Sequence, residues 1–349
     1  MNNFWDTLPK QFFVLAPMAD VTDAAFRRII AKYSKPCLPA GRPRVPFVMY
    51  TEFVSADGLM LAGEEGRAKL MRDLVFSDEE RPIVAQFFTA TPDHMEKVAA
   101  LAQELGFDGV DINMGCPDKT IEKQGAGAKL ILNPERAVEL IAAAKRGAPN
   151  LPVSVKTRLG YNKDILEEWL PKLLAAEPAA IILHARTRKE MSKVPAHWER
   201  VKRAVEIRNG LGSRTFIVGN GDVLDLEDAK KKAAESGADG VMLGRAIFGK
   251  PWLFAAGDTN IPFSREMNTT PTPPKETFVS PEARLRVLVE HTKLFEELLG
   301  DVKSFAIMKK HFKAYVEGFP GAKELRIQLM EANNAAEVEK IVEKVYTAG

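Results

Sequence analysis

A thiol, an amine, an imidazole and several carboxamides each fall just where a short apolar run of this chain stops. Cys116 stands between Gly115 and Pro117 in "DINMGCPDKTIEKQGAG" (111–127), a segment that begins strand-like, breaks, and returns to helix-like sequence. A lone cysteine is either a small apolar filler or, facing a cavity, a reactive group. Gln86, Asn113, Lys156, His184, Asn220 and Asp222 stand at or just beyond the ends of other such runs. Singly, Lys156 reads as a solvated charge, His184 as a hydrogen-bonded core imidazole and Asn220 as a turn residue. Gathered into one ring, the same groups would form a site able to hold anions and move protons.

The elements that must position them are short β-branched runs alternating with amphipathic helical runs. The strands are "QFFVLA" (11–16), "PFVMYTEF" (46–53), "PIVAQFF" (82–88), "DGVDIN" (108–113), "LPVSVKT" (151–157), "AAIILHA" (179–185), "RTFIVGN" (214–220) and "DGVMLG" (239–244). Continuous apolar runs of this length read as buried parallel strands. Thr91 before Pro92 opens one intervening helix and Gly106 ends it; Asp225 with Asp228 opens another and Gly237 closes it. Eight such units predict an α/β fold, a TIM (β/α)8 barrel over 1–257, with its site at the carboxyl ends of the strands. The Thr- and Pro-rich stretch 258–280 has neither period and reads as a linker. From Pro281 to the end the pattern is helical, predicting a small helical domain over 281–349.

Composition bounds the function classes. Apolar residues at 46% and charged residues at 28% suit a soluble globular protein. Cys37 and Cys116 alone supply no disulfide framework and no four-cysteine zinc site, so a reducing compartment is expected and no metal. The start "MNNFWDTLPK" lacks a signal-peptide pattern and no apolar run is long enough for a bilayer, so the expectation is cytoplasmic, with no membrane partner. A net charge of +2 does not by itself argue for nucleic acid. No obligate protein partner is evident. The basic, proline-rich segment "KPCLPAGRPRVP" (35–46) precedes the second strand, which places it on the barrel end away from the chemistry.

Two glycine-bearing turns, "GNGD" (219–222) and "GRAIFGK" (244–250), follow the seventh and eighth strands. Those two loops of a barrel commonly hold a phosphate on backbone N–H groups, here Gly221 and Gly244, with Arg245 as a second anchor. "GRAIFGK" also fits the start of a P-loop, but Pro251 stands where a metal-binding hydroxyl is required. No glycine cluster reads G-x-G-x-x-G, which excludes a Rossmann site for a tightly held dinucleotide.

The chain resembles the tRNA-dihydrouridine synthases, flavin-dependent reductases of uridine in tRNA. The resemblance is carried by "LAPMADVTDAAFRR" (15–28), "TEFVSADGL" (51–59), "NMGCPDKTIEKQGAGAKL" (113–130), "VSVKTRLG" (153–160), "LHARTR" (183–188), "VGNGDV" (218–223) and "LGRAIFGKPWLF" (243–254), with "MKKHFKAYVEGFPGAKELR" (308–326) resembling the family's C-terminal helices. "KQGAG" stands where the family often has paired glycines, and the 36–46 insertion is atypical. The resemblance implies FMN rather than FAD, re-reduced by NADPH or NADH. It places Pro17, Met18 and Ala19 along the flavin, Gln86 on its pyrimidine edge, and Lys156 near its electron-accepting edge. It has His184 helping to hold the cofactor and Asn220, Gly221, Asp222, Gly244 and Arg245 around its phosphate. It makes Cys116 the proton donor, a role suited to a thiol, whose ordinary pKa of about 8.5 keeps it protonated at neutral pH.

A tRNA substrate must be unstacked into the site while cations meet its phosphates. Asn113, Arg158, Arg186 and Arg188 follow strand ends and are candidates for substrate contact. Lys309 and Lys310 belong to a run, 302–316, that holds four lysines and no acidic residue. Residues 281–349 nevertheless carry equal numbers of acidic and basic side chains, so an ordinary solvated face is the competing reading. A flavin barrel acting on a free small pyrimidine would explain the barrel and the cysteine but leave the helical domain idle. A non-catalytic RNA-binding barrel fits poorly with Cys116 and Lys156 both present. Which uridine is modified is not written in the chain.

Overall fold

Eight parallel strands close in sequence order, β1 (Phe12–Leu15) pairing with both β2 (Phe47–Ser55) and β8 (Gly240–Leu243). The computed structural model describes residues 3–34, 47–255 and 279–347. Between lie β3 (Ile83–Phe88), β4 (Gly109–Met114), β5 (Val153–Arg158), β6 (Ala180–His184) and β7 (Phe216–Asn220). This is the TIM barrel that the alternation predicts, and every expected strand lies within two residues of its place. The insertion at 35–46, with Cys37, and the linker up to 278 lie outside the described residues.

The barrel interior follows from the period-two alternation of strand side chains. Phe12, Val14, Val48, Tyr50, Val84, Ala180, Ile182, Val218 and Met242 form one buried cluster. Its floor is Trp5, carried by a 3-10 helix at Phe4–Thr7 and capped by the Asn3 side chain. Trp5 is 1% exposed and lies 5.4 Å from Phe12 and 6.4 Å from Phe216, ring centre to ring centre. Those two phenylalanines open β1 and β7, so the indole stops the amino-terminal end of the barrel, leaving the carboxyl end for chemistry.

The helices are α1 (Ala24–Ser34), α2 (Ala56–Leu61), α3 (Glu64–Arg72), α4 (Pro92–Glu104), α5 (Lys119–Lys123), α6 (Pro134–Gly147), α7 (Leu166–Ala175), α8 (Trp198–Gly210), α9 (Leu226–Ser236), α10 (Pro281–Leu299), α11 (Lys309–Tyr315), α12 (Ala322–Glu331) and α13 (Ala335–Thr347). Asp225 caps α9 by accepting from the Asp228 N–H at 2.7 Å, and Gly237 ends it at φ 73°. Thr91 precedes α4 as expected but its side chain makes no capping bond.

By its contacts the chain divides into two compact units. As far as they are described, one comprises residues 3–19, 47–75 and 81–245, and the other 20–34, 76–80, 246–255 and 279–347. This division does not follow the boundary expected at 257: α1 belongs with the C-terminal helices. Within that second unit the buried Arg27 guanidinium meets Glu80 at 2.7 Å, both side chains fully enclosed. Phe26 of α1 stacks on His291 of α10 at 5.0 Å and meets His311 of α11 edge-on at 4.7 Å.

Both histidines are wholly buried, and neither ring nitrogen of His311 has a hydrogen-bond partner among the described residues. Burial holds His291 well below the usual imidazole range and brings His311 down to about 3, with Lys310 adding to the latter. A pKa lowered by folding means that only the unfolded chain takes up these protons once the pH drops below about 6.5, so stability is lost as pH falls. Each histidine adds a slope of about 1.4 kcal/mol per pH unit there. In urea unfolding between pH 6 and 4, His311→Phe should lower the slope by about that amount. An unchanged slope would show that His311 is protonated in the folded state.

Candidate active site

Cys116 is presented by a turn whose hydrogen bonds originate inside the barrel. Inward-facing Asn113, on β4, accepts the N–H of Gly115 at 3.1 Å and of Cys116 at 2.9 Å on its side-chain oxygen. Its Nδ2 donates to Gln86 Oε1 at 3.1 Å, and Gln86 Nε2 donates to Asp111 Oδ2 at 2.7 Å. Asp118 then caps α5, and the chain returns so that Ala128 N–H donates to the Cys116 carbonyl at 2.9 Å. Gly127 makes this return possible: it has φ 61°, and a Cβ there would lie 2.7 Å from the Cys116 carbonyl oxygen. The half-buried Cys116 packs, as Phe53 does, against a buried cluster of Phe88, Ile121 and Ala126. Burial pushes its pKa above the ordinary thiol value, so it is a protonated thiol at neutral pH.

Lys156 pairs in register with Asn113 across β4 and β5. Its ammonium has no hydrogen-bond or ion-pair partner among the described residues, and burial, with Arg158 assisting, brings its pKa down to about 8. His184, at the end of β6, accepts from Arg186 Nη1 at 3.2 Å on Nε2, which leaves the proton of a neutral ring on Nδ1. Burial and the nearby Arg158, Lys156 and Arg186 cations hold this imidazole well below its usual range.

The turns after β7 and β8 form the other side. Asn220 bridges the two strands by donating to the Met242 carbonyl at 2.9 Å. Gly221 has φ 125°, and a Cβ there would lie 2.8 Å from Ala196 and 3.2 Å from the His184 ring. A Cβ on Gly244 would meet only Ala16 and the Met18 sulfur, both at 3.6 Å. The Asp222 carboxylate accepts from Arg245 at 2.8 Å, from Arg186 and from the Ala196 N–H at 2.9 Å, so it orients both guanidinium groups. Its bond to Arg186 holds its pKa below the usual carboxylate value. Pro17, Met18 and Ala19 follow β1, passing from buried to exposed.

The three arginines expected to reach RNA each have partners within the protein. Arg158, 7% exposed, donates to the carbonyls of Gly115 at 2.7 Å, Met191 at 3.1 Å and Thr187 at 3.2 Å. Arg186, 2% exposed, is spent on Asp222, His184 and the Val194 carbonyl. Arg188 forms a two-pronged pair with Glu122 of α5 and lies over the Tyr161 ring at 5.3 Å. Arg158 and Arg188 thus brace the segment bearing Cys116 from both sides. In the second unit, Lys310 pairs with Asp20 at 3.1 Å.

Asp111, Ser154 and Glu122 were not singled out in the sequence, although an aspartate inside the apolar "DGVDIN" is itself a signal. Beside the strand ends, a groove of about 580 Å³ is lined by Lys163, Lys189 and Lys193 together with Asp164, Glu190 and His197, on loops after β5 and β6. Among the described residues no helix is long and apolar enough to cross a membrane, and no group of three or more His, Cys, Asp or Glu side chains could hold a metal ion.

A parallel barrel that gathers a protonated thiol, an unpaired ammonium and a neutral imidazole at the carboxyl ends of its strands is built as a barrel enzyme. Residues 14–348 match the dihydrouridine synthase (Dus) family. The chain belongs to that family. It is 38% identical over 343 residues to a protein of Staphylococcus epidermidis named "Probable tRNA-dihydrouridine synthase", covering 98% of this chain and 95% of that one. A Bacillus subtilis protein named "Probable tRNA-dihydrouridine synthase 2" is 39% identical over 343 residues, covering 98% and 96%. Among solved structures, histamine dehydrogenase from Rhizobium sp. 4-9 is similar over 70% of this chain and 45% of that one, with TM-score 0.48 and 12% identity.

Proposed function

We propose that this protein reduces the carbon–carbon double bond of specific uridines in tRNA to 5,6-dihydrouridine, with FMN as its cofactor and NADPH or NADH as the transient electron donor. The observation that carries the reading is the Lys156 ammonium, unpartnered beside a protonated Cys116 thiol in a site where burial makes an unpaired charge costly. Such a cation suits a group that becomes anionic on reduction. The residues fit a flavin monophosphate: Gly244 leaves backbone open, Gly221 takes a turn that a side chain would crowd, and Arg245, 70% exposed in its side chain, offers a guanidinium to phosphate. When bound, FMN supplies the hydride to the uracil ring.

The chain's own residues do the rest. Pro17, Met18 and Ala19 line the cofactor, Gln86 meets its pyrimidine edge through the N–H that Asp111 does not occupy, and neutral His184 steadies it. Asn220, Gly221, Asp222, Gly244 and Arg245 form the phosphate end, with Asp222 aiming Arg245. Cys116 holds the proton destined for the ring carbon next to the one that receives hydride, and Asn113 fixes the turn that offers it. Lys309 and Lys310 meet tRNA phosphates. The exposed Lys310–Asp20 pair is worth at most about 1 kcal/mol, so a phosphate can displace it. The protein works in the cytoplasm, where tRNA is matured.

Purified protein should be yellow and release FMN on heating, and the reduced enzyme should form dihydrouridine in unmodified tRNA but not from free uracil. Release of FAD, or no flavin, would sink the cofactor assignment. Equal turnover of free uracil would favour a small-pyrimidine reductase.

A further inference from the structure

We infer that Asp111 is a positioning residue for this reaction: its carboxylate sets, through the carboxamides of Gln86 and Asn113, the direction of a hydrogen-bond chain that ends on the backbone N–H of Cys116. The inference rests on the reading of Cys116 and Gln86 proposed above. Asp111 and Gln86 are 0% exposed and Asn113 is 5% exposed, so the chain runs through the buried interior. Asp111 accepts from Ser154 Oγ at 2.6 Å on one oxygen and from Gln86 Nε2 at 2.7 Å on the other. Gln86 Oε1 accepts from Asn113 Nδ2 at 3.1 Å, and Asn113 Oδ1 accepts the Gly115 and Cys116 N–H groups.

The backbone N–H groups can only donate, so Asn113 turns its oxygen to them and Gln86 turns its oxygen to Asn113, and the ionised Asp111 carboxylate is the acceptor that the Gln86 N–H₂ then meets. Turning Gln86 over would set its N–H₂ against the Asn113 N–H₂, donor facing donor. An acceptor at Asp111 therefore holds both amides in the one arrangement that keeps an acceptor beneath the turn that carries the thiol. A residue present only to fill the interior would need neither lone pairs nor charge, since burying a carboxylate is costly and an apolar side chain of similar volume serves as well. Burial brings Asp111 up to about 7 even with Ser154, Gln86 and Lys156 favouring its ionised form, which shows how far from a comfortable carboxylate site this is.

The test compares Asp111→Leu, Gln86→Met and Asp111→Asn in the full-length flavoprotein. Leu removes the acceptor, and Met cuts the chain while leaving the carboxylate and its field on Lys156 in place. Asn keeps the direction, because its oxygen can face Gln86 while its N–H₂ donates to Ser154 Oγ. Alkylation of Cys116 by iodoacetamide, followed by mass spectrometry of its peptide, reads the turn without any turnover. With one buried hydrogen bond of the turn no longer enforced, the Leu and Met variants should alkylate about five-fold faster, and the Asn variant at the wild-type rate. In uridine reduction, kcat should fall about ten-fold for Leu and Met with KM for tRNA unchanged, and Asn should restore it. Wild-type alkylation in the Leu and Met variants would overturn the inference, as would an Asn variant as impaired as Leu. Should Asp111→Leu fail to fold, Gln86→Met decides. If the wild-type enzyme itself reduced no uridine, the functional reading would fall while the alkylation rates would still decide the chain.

Discussion

Cys116→Ala should bind FMN and tRNA and accept electrons from a nicotinamide donor as the wild type does, yet lose uridine reduction by about 100-fold to 10,000-fold, the usual worth of a general acid. None of the retained steps uses the thiol. The packing lost is small, because the side chain is only half-buried against the cluster of Phe88, Ile121 and Ala126. A stability cost near about 1 kcal/mol is expected, well short of unfolding. Single-turnover reduction with pre-reduced enzyme isolates the proton-transfer step. A rate close to wild type in that assay would mean that the proton comes from another group. Burial raises the Cys116 pKa and lowers that of Lys156 to about 8, so the wild-type rate should stay level through neutral pH and fall on the alkaline side, first as Lys156 loses its charge and then as the thiol ionises.

Arg158→Ala should behave as a structural lesion, lowering stability by about 3 to 5 kcal/mol, because it strips the donors from three carbonyls in a buried site. Arg158→Lys should rescue little, since an ammonium cannot span the three acceptors that the planar guanidinium reaches. The salt dependence of tRNA binding separates this from a phosphate contact. A phosphate-binding arginine would flatten the slope of log K against log salt by about one unit when removed. Arg158→Ala should leave that slope unchanged while denaturant midpoints fall. A flattened slope with normal stability would restore Arg158 to the RNA surface.

The contrast between Lys156 and Arg158 shows what was legible. Both sit on β5 two residues apart, so the alternation places both on the inner face, and the ends of eight strands were readable from apolar runs alone. Gln86, Asn113, Cys116, Lys156 and His184 came together because a barrel leaves such residues little freedom. What each cation pairs with was not readable. The acceptors of Arg158 are backbone carbonyls up to 43 residues away in sequence, and Glu122, the partner of Arg188, is 66 residues away. Nothing local marks such a pairing, so the arginines read as solvent-facing charge. Asp111 was passed over for a related reason: its meaning lies in three neighbours on three other strands, Tyr50, Gln86 and Ser154, and none is adjacent in sequence. The allegiance of α1 to the C-terminal helices is likewise a matter of which apolar face meets which, and the amphipathic pattern of α1 is silent on its partner.

The Trp5 floor bears on hydrogen isotopes. With that end of the barrel stopped by aromatic rings, the labile hydrogens of Tyr50, Ser154 and Gln86 should exchange with solvent through the opposite mouth. Whatever lies across that mouth then isolates them. Protein equilibrated in heavy water and transferred to light water should keep its interior deuterons for as long as the mouth stays covered, and surrender them when it clears. The barrel in this sense is a stoppered flask and not a pipe: its stock of exchangeable hydrogen is set when the flask is filled, and it stays fixed until the flask is opened again.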